Sequence, residues 1–596
     1  MTASARPATD AGTLTGLFAA AVARFADRPA VSDDQQSLTY AELDRRSDVL
    51  ADTLRGHGVA AEDRVGLYLE RSVDVFVAVL GILKAGAAYV AVDTRYPDTR
   101  RDLMLTHSGA KLVVTQPEQQ DRLSALALDV LPFRSRSTTE VRSGFDDHAT
   151  PAGAASVVFT RGSSGTPKAI TLEHRNIVSF VTNPDLPRLL PEDRTGQIAG
   201  PSSGDFHFDM WTTLAHGAEV TVLPPVPELL AADFQHEMKR RRITAMLVPA
   251  MVVNHVVRED RDAFASLRVL QVGSDVLLPS VCRDLLAGKF EGELYHLYGS
   301  AEITTACTAQ RVTAVEAEFD TAPIGRPLHG VTVYVLGPDG QPVAPGETGE
   351  LYVGGPGVAR GYLDAADLTD ERFVSNPFAQ GPARLHRTGD MVRERADGRL
   401  EFRGRADSWI EIRGRRVEAG EVECVMRRHR QVQEAVVLPS GEGSDRRLVA
   451  FVVLDNVLPV QELHAYAEAE LPDFMVPDHF IALPEIPASD HGKRDVGRLQ
   501  GLFDQHHARQ QKHTAPATET ERLLADLWEL LLGTGGIGAN DDFFQLGGNS
   551  LLALRMQSRI KRELGAILDY RTVLANPVLS ALAAEIDAVK NDVDFL

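Results

Sequence analysis

The sequence predicts a multidomain α/β protein that ends in a small all-α bundle. Three observations carry this reading. The chain has 596 residues, too many for one core, so about 3–5 domains or subdomains follow. From residue 12 to about 400, short β-branched runs alternate with Ala/Leu-rich helical patterns. Strands alternating with helices are the texture of α/β sheets. Residues 519–596 instead carry apolar positions at helical spacing, which predicts three or four helices in a bundle.

The elements follow in order. Arg64–Tyr68, Lys111–Thr115, Ser156–Thr160 and Glu219–Leu223 read as strands of the large N-terminal part, residues 12–406. Val75–Val92 is the most membrane-like stretch, but Lys84, Gly81 and Gly86 interrupt it. It reads as a buried helix running into a buried strand, not a span. From Gly330 to Tyr362 apolar and polar residues alternate among turn residues, with Pro338-Asp339-Gly340 as a hairpin turn. That predicts an antiparallel, β-rich part. A smaller α/β unit occupies 407–500. Residues 501–518 have few large apolar side chains, a linker composition. In the final bundle Leu523, Leu527, Leu530 and Leu531 mark one amphipathic helix. Leu551, Leu554 and Ile560 mark a second, and Leu579, Leu582 and Ile586 a third.

Composition excludes several classes. Hydrophobic residues are 44% and charged residues 24%, the balance of a globular protein. With 62 basic against 83 acidic residues the net charge is −21, which argues against a nucleic-acid partner. A small anion is still open, since a few N–H groups and one Lys hold a phosphate. The three cysteines, Cys282, Cys307 and Cys424, form no CxxC. A disulfide scaffold and a zinc site are not expected, and a cytoplasmic location is. Met1–Thr13 has no apolar run, so no secretory signal and no membrane association are expected.

The sharpest motif is "FTRGSSGTPKA", Phe159–Ala169, directly after an apolar run. Thr160, Ser163, Ser164, Gly165, Thr166 and Lys168 offer hydroxyls, backbone N–H groups and a cation, which is what a polyphosphate needs. The GxxxxGK[ST] of a P-loop is absent. Taken alone, the segment fits a polar surface loop equally well.

It does not stand alone. "LTYAEL" lies at 38–43, "LKAGAAYVAVD" at 83–93, "YGSAE" at 298–302, "GELYVGGPGVARGYL" at 349–363 and "RTGD" at 387–390. "GRADSWIEIRGRRVEAGEVE" follows at 404–423, "LPDFMVP" at 471–477 and "GKRD" at 492–495. In this order they resemble the adenylation domain of a nonribosomal peptide synthetase, a member of the adenylate-forming superfamily. "DDFFQLGGNSLLALRM", 541–556, is similar to a peptidyl carrier protein, whose serine bears 4′-phosphopantetheine; that serine is Ser550. The competing reading of Ser550 is a plain N-cap.

The resemblance implies two half-reactions: a carboxylate attacks the α-phosphate of ATP to give an acyl-adenylate, and a thiol then takes the acyl group. It implies that Thr160–Lys168 holds the phosphates, that Glu302 binds Mg²⁺, that Tyr298 stacks on adenine and that Gly273-Ser274-Asp275 lies on the adenine side. Asp390 would hold the ribose hydroxyls, Arg405 would contact the nucleotide, and Lys493 would bridge carboxylate and α-phosphate. Asp407 would be the hinge between the two adenylation subdomains, 12–406 and 407–500, with 519–596 as the four-helix carrier. Arg161, Ala301, Glu411 and Asn549 depart from the family pattern; Arg161 either adds a phosphate contact or blocks the loop.

The resemblance also implies an acid pocket built from Gly204, Asp205, Phe208, Met246, Leu270, Val272, Leu297, Thr305 and Ala306. Gly204 stands where α-amino-acid enzymes keep an Asp, and Asp205 is next to it. The mostly apolar set suits an apolar or aromatic acid. A non-standard or β-amino acid anchored by Asp205, an α-keto or α-hydroxy acid, and an aryl acid are all open. The partners expected are the small acid, a phosphopantetheinyl transferase, a downstream condensation or tailoring enzyme and, by family habit, an MbtH-like helper. With no condensation, reductase or thioesterase region in 596 residues, a stand-alone loading didomain of antibiotic or other secondary metabolism is expected. The rival readings are an acyl-CoA ligase and a carrier scaffold with a decayed adenylation half.

Overall fold

The computed structural model describes residues 12–593 except 136–148, 161–167, 232, 275–276, 314–322, 382, 407–408, 413–414, 441–446, 456–459, 472–474, 489–493, 512–513, 533–534, 544–545, 547–549 and 567. The chain divides into two compact units, 1–407 with 488–493, and 408–487 with 494–596.

Among the described residues the first unit holds nine-, seven- and five-stranded sheets. In the nine-stranded sheet Arg194–Gln197, Ala245–Pro249, Val269–Gly273 and Glu293–Tyr298 run parallel. In the seven-stranded sheet Ala154–Thr160, Ala88–Ala91, Arg64–Tyr68 and Leu112–Thr115 do the same. The five-stranded sheet is antiparallel and contains Thr332–Leu336, Thr348–Gly354, Arg384–Glu394 and Leu400–Arg405. Glycines and turn residues therefore end the α/β pattern where the sequence says they should.

Two sequence segments prove to be structural joints. In "LTYAEL", Thr39 caps the helix Tyr40–Gly56: its Oγ1 accepts from Glu42 N at 3.2 Å, and Glu42 Oε2 accepts from Thr39 N at 2.8 Å. Such a capping box satisfies two orphan donors of the first turn. The stretch Val75–Val92 resolves into the helix Val73–Lys84 and the strand Ala88–Ala91. Lys84, only 5% exposed, donates to Asp44 Oδ1 and Asp48 Oδ1 at 2.6 Å each. The cation that interrupts the apolar run thus ties its helix to the preceding one. Lys84→Ala is expected to destabilise this unit by about 3 kcal/mol, because two part-buried carboxylates lose their countercharge. Urea unfolding checks this; an unchanged midpoint removes the tie.

In the second unit a three-stranded sheet, Val432–Ser440, Arg447–Leu454 and His479–Leu483, packs with the helices Ala419–Arg428 and Val460–Glu470. Residues 501–518, expected as a linker, begin inside the helix Val496–Gln511. Asp495 Oδ1 accepts from Arg498 N at 3.1 Å to start it, and Leu499 and Phe503 bury one face; the Gln, Arg and Ala that looked like linker are good helix formers.

The bundle contains Glu519–Leu532, Ser550–Arg559, Tyr570–Ala575 and Leu579–Val593, with a π-turn at Ile560–Leu564. The expected stripe in its first helix is rotated. Leu523 and Leu530 are 45% and 63% exposed, while Leu524, Leu527 and Trp528 form the core, with Leu531 against it. Trp528, edge-on to Phe543 at 5.2 Å, sets that register. Leu579, Leu582 and Ile586 are buried as expected, together with Ile560. The side chains of Leu551 and Leu554 lie outside the description.

Candidate active site

The strand Ala154–Thr160 and the strand Lys168–Glu173 form an antiparallel hairpin in which Thr160 pairs directly with Lys168. The segment expected to hold phosphates joins these two strands. Its Arg161, Ser163, Ser164, Gly165 and Thr166 lie outside the described residues, but its two ends are fixed. Lys168 Nζ sits 5.7 Å from the Tyr362 ring centroid, a cation–π distance. Among the described residues no carboxylate pairs with Lys168. Tyr362 Oη donates to Glu302 Oε1 at 3.0 Å. Burial pushes the Glu302 pKa up, but the charge of the neighbouring His386 and hydrogen bonds, that of Tyr362 included, outweigh it and hold the carboxyl below its ordinary value.

Beside this lies a second cluster. Tyr298, at the end of its parallel strand, donates its hydroxyl to Asp390 Oδ2, and Arg405 Nη1 donates to Asp390 Oδ1 at 2.7 Å. The "RTGD" motif explains the aim of Asp390. Glu350 pairs with Met391 and Tyr352 with Arg387, so residues 388–390 bulge out opposite one partner. Gly389 has φ +76, a conformation that costs glycine little. Tyr298 also packs on Phe402 at 6.3 Å between centroids.

The third cluster is the expected acid pocket. Asp205 Oδ2 accepts from Ser274 Oγ at 3.0 Å, at the carboxyl end of the strand Val269–Gly273. Crevices outside the carboxyl ends of parallel strands are where open α/β sheets bind ligands. An open cleft lies there, lined by Arg71, Arg95, Ala199, Ser203, Asp205 and Leu247, among others. A side chain at Gly204 would meet no atom within 4 Å. Thr305 Oγ1 donates to Gly204 O at 2.9 Å. Thr304 and Thr305 hold φ of 55° and 68°, which is strained for β-branched residues. A Cβ on Gly299 would lie 2.4 Å from Thr305 O, so only glycine lets the chain fold back this tightly after Tyr298.

The structure does not bring all nine pocket residues together. Met246 pairs with Leu270, and Val248 with Val272, so these side chains share one face of the sheet. That face buries Met246, Leu270 and Val272 with Val252, Val253, Val281 and Leu285. Phe208, Leu297 and Ala306 belong to the opposite core, with Leu247, Phe206 and Trp211. The correction is one residue of strand pleat. Leu247, Gln271 and Gly273 face Leu297, and Met246, Leu270 and Val272 do not. Phe208 is fully buried at the start of a π-turn, Phe208–Thr212. Within that turn Asp209 is fully buried, and its Oδ2 accepts from Ala199 N at 3.1 Å. Burial drives its pKa well above the ordinary carboxyl value. Arg71 Nη2 donates to the carbonyls of Gln197, Ile198 and Ala199, fixing the same strand end.

Tyr362, Leu247 and Gln271 are absent from the sequence expectation. Tyr362 lies in a quoted motif and is discoverable there; the other two are not. Asp275, Asp407 and Lys493 lie outside the described residues, as does the side chain of Ser550.

The AMP-binding enzyme model matches residues 18–363. The chain belongs to the AMP-binding enzymes. It is an adenylate-forming enzyme of the ligase kind with a carrier domain: the AMP-binding enzyme C-terminal domain matches 421–493, and the phosphopantetheine attachment site matches 522–586. Among the relatives of this AMP-binding enzyme, gramicidin S synthase 2 of Brevibacillus brevis is 35% identical over 580 residues, which is 96% of this chain and 13% of that protein. Malpibaldin synthetase of Mortierella alpina is 35% identical over 587 residues, 98% of this chain and 10% of that one. The chain thus spans a small part of the relatives it matches. A solved holo four-domain nonribosomal peptide synthetase bound to AMP and glycine superposes with TM-score 0.71 at 28% identity, over 96% of this chain and 42% of that one. A holo synthetase protein with adenylation and PCP domains, bound to a vinylsulfonamide inhibitor, covers 97% of both chains at 26% identity and TM-score 0.63.

The residues of this AMP-binding enzyme fit the family's cofactors. Among the described residues no group of three or more His, Cys, Asp or Glu forms a metal cage. Mg²⁺ is ordinarily held by one or two carboxylates plus substrate phosphates, and Glu302, its pKa held low with His386 and Tyr362 as neighbours, suits that. ATP supplies the adenylyl group. The carrier bears 4′-phosphopantetheine, which supplies a thiol; Ser550 opens the helix Ser550–Arg559, a terminus that favours a phosphate. No helix among the described residues is long and apolar enough to cross a membrane.

Proposed function

We propose that this enzyme activates an amino acid, of a non-standard kind, as its acyl-adenylate and loads it onto its own carrier domain for a downstream condensation or tailoring enzyme. The observation that supports an amino acid is the Asp205 carboxylate in the open cleft at the carboxyl ends of the parallel strands. Gly204 leaves space beside it. A buried ammonium without a counter-charge is costly; Asp205 is the acidic side chain lining that cleft, and the cations there are engaged elsewhere, Arg71 with the carbonyls of Gln197 and Ile198 and Arg95 with Asp93.

In this reading the hairpin from Thr160 to Lys168 holds the β,γ-phosphates and the leaving pyrophosphate. Glu302 would hold Mg²⁺, which would offset the charge of those phosphates. Asp390, oriented by Arg405 and Tyr298, accepts from the ribose hydroxyls, and Tyr298 and Gly273–Asp275 border the adenine. Lys493 cancels charge where the carboxylate meets the α-phosphate. These groups act by positioning and by electrostatic stabilisation of the phosphoryl charge. The second half-reaction takes the acyl group to the carrier thiol. A phosphopantetheinyl transferase must act on Ser550 first.

ATP–pyrophosphate exchange across amino, keto, hydroxy and aryl acids tests the reading. Amino acids are expected to exchange best. With the best of them Asp205→Ala is expected to lose about 2–5 kcal/mol in kcat/KM, the range for truncating one partner of a buried charge pair. An aryl or keto acid as the best substrate, or a near-neutral Asp205→Ala, overturns the ammonium anchor.

A further inference from the structure

We infer that Ser300 and His386 hold water molecules that stay on the Mg²⁺ ion, as positioning residues standing outside Glu302. The inference rests on the reading of Glu302 as the metal carboxylate and adds to it the groups that seat the ion's water shell.

Ser300 follows the strand Glu293–Tyr298 and precedes a 3₁₀ turn, Ala301–Ile303. A serine in that place ordinarily caps the turn through its hydroxyl. This one does not: Ser300 is extended, with φ −140 and ψ 172, and makes no side-chain cap bond. Its hydroxyl lies beside the Glu302 carboxyl and helps to hold that pKa down, yet it stops short of a hydrogen bond. Among the described residues its buried Oγ has no partner. Ala301, next in the chain, brings no hydroxyl of its own.

His386 comes from a different sheet. It lies in the strand Arg384–Glu394 and pairs with Val353, whose side chain packs in one core with Ile303. His386 therefore faces the turn that carries Glu302, and it is 4% exposed. Its ring lies 5.0 Å from Phe373, and Phe373 meets the Tyr362 ring edge-on at 5.5 Å. A hydrogen bond to the Arg372 backbone favours the protonated ring, so it runs to the carbonyl, which accepts. Nδ1 has no partner among the described residues. The nitrogen facing Arg372 carries the proton, and Nδ1 keeps the lone pair of the neutral ring. Burial, outweighing the attraction of Glu302, pulls the ring's pKa below its ordinary value.

One carboxylate thus has two buried polar neighbours without partners. Buried polar groups are nearly always satisfied, and an exception points to a water or an ion. The chemistry of Mg²⁺ supplies both. The ion dehydrates reluctantly and keeps several waters when one or two carboxylates bind it. Those waters turn their hydrogens outward and require acceptors. Nδ1 is an acceptor, and the Ser300 hydroxyl can accept from a water while donating to Glu302. A hard cation prefers oxygen to imidazole nitrogen, which puts His386 on a water and not on the metal.

The test is calorimetric titration of the full chain with ATP, in Mg²⁺ and in EDTA, without acid substrate, at about pH 8 where histidine is neutral. The quantity read is the gain in ATP affinity that Mg²⁺ brings. Ser300→Ala and His386→Phe are each expected to lose about tenfold of that gain, the lower end for groups that orient a metal's ligands. Both are expected to bind ATP in EDTA as wild type does. His386→Asn keeps an acceptor close to the place of Nδ1 and is expected to recover most of the gain. A histidine that only packs against Phe373 would be replaced better by Phe than by Asn, so the order of the two variants separates the roles. Ser300→Ala removes one oxygen and decides alone if His386→Phe does not fold. Wild-type gains in Ser300→Ala and His386→Phe, with a reduced gain in Glu302→Gln, overturn the inference and leave Glu302 as the metal carboxylate. An unchanged gain in Glu302→Gln removes that reading and the inference with it.

Discussion

Ser550→Ala is expected to lose carrier loading completely while still exchanging pyrophosphate at the wild-type rate. The attachment of 4′-phosphopantetheine needs a side-chain hydroxyl to form the phosphodiester, and alanine has none. The helix that Ser550 opens, Ser550–Arg559, loses at most a cap, worth about 1 kcal/mol. The bundle core of Leu524, Trp528, Phe543, Met556, Ile560, Leu582 and Ile586 is untouched. Intact-mass measurement after treatment with a phosphopantetheinyl transferase and CoA reads the outcome. Wild type should gain the mass of one phosphopantetheine and, with ATP and the acid, that of the acyl group; the variant should gain neither. An adduct on Ser550→Ala moves the attachment elsewhere.

Glu302→Gln is expected to slow adenylate formation by about 10²–10³-fold, the range for deleting one preorganised electrostatic group, and to raise the Mg²⁺ concentration needed for half-maximal rate. Glutamine keeps the shape and can still accept from Tyr362 Oη, which now sits 3.0 Å from Glu302 Oε1, so the fold should hold. What is lost is charge. The carboxyl titrates below its ordinary value of 4.5, because hydrogen bonds and the His386 charge outweigh burial. Its folded pKa is the lower one, so the stability this ionisation contributes is present above the ordinary value and is lost as pH falls through the lowered one. Metal dependence of the wild type should therefore persist down to about pH 4.5. A metal titration that is the same for Glu302→Gln and wild type would take Glu302 out of the site.

How much of this is legible in the sequence depends on the element. The hairpin ends Thr160 and Lys168, and the Tyr298–Asp390–Arg405 cluster, are readable because short motifs with fixed Gly and Asp positions fix a local backbone. The face of the strand Ala245–Pro249 is not. "AMLVP" is buried at every position, as parallel strands covered on both sides are, so no polar alternation distinguishes Met246 from Leu247. One step of error there carries Leu270 and Val272 with it and hides Gln271. The same ambiguity, in helical form, misplaces Leu523 and Leu530: a helix with Leu at 523, 524, 527, 530 and 531 admits two stripes, and Trp528 decides between them. Residues 501–511 read as linker because few of them are apolar; among the described side chains of that helix Leu499 and Phe503 are the buried ones.

The strained turn Thr304–Thr305 has a bearing on attempts to retarget this enzyme. Two residues before it stands Glu302, and Thr305 Oγ1 donates to Gly204 O, next to Asp205. Gly299 admits no side chain behind it. One six-residue span, 300–305, therefore carries the carboxylate proposed for the metal and a residue expected in the acid pocket on the same taut piece of backbone. Substitutions there will trade turnover against selectivity, because neither can shift alone. Positions 247, 271 and 297 project from regular strands whose backbone is held by neighbours on both sides. A library confined to those three side chains can change what the pocket accepts and leave the phosphate chemistry where it is.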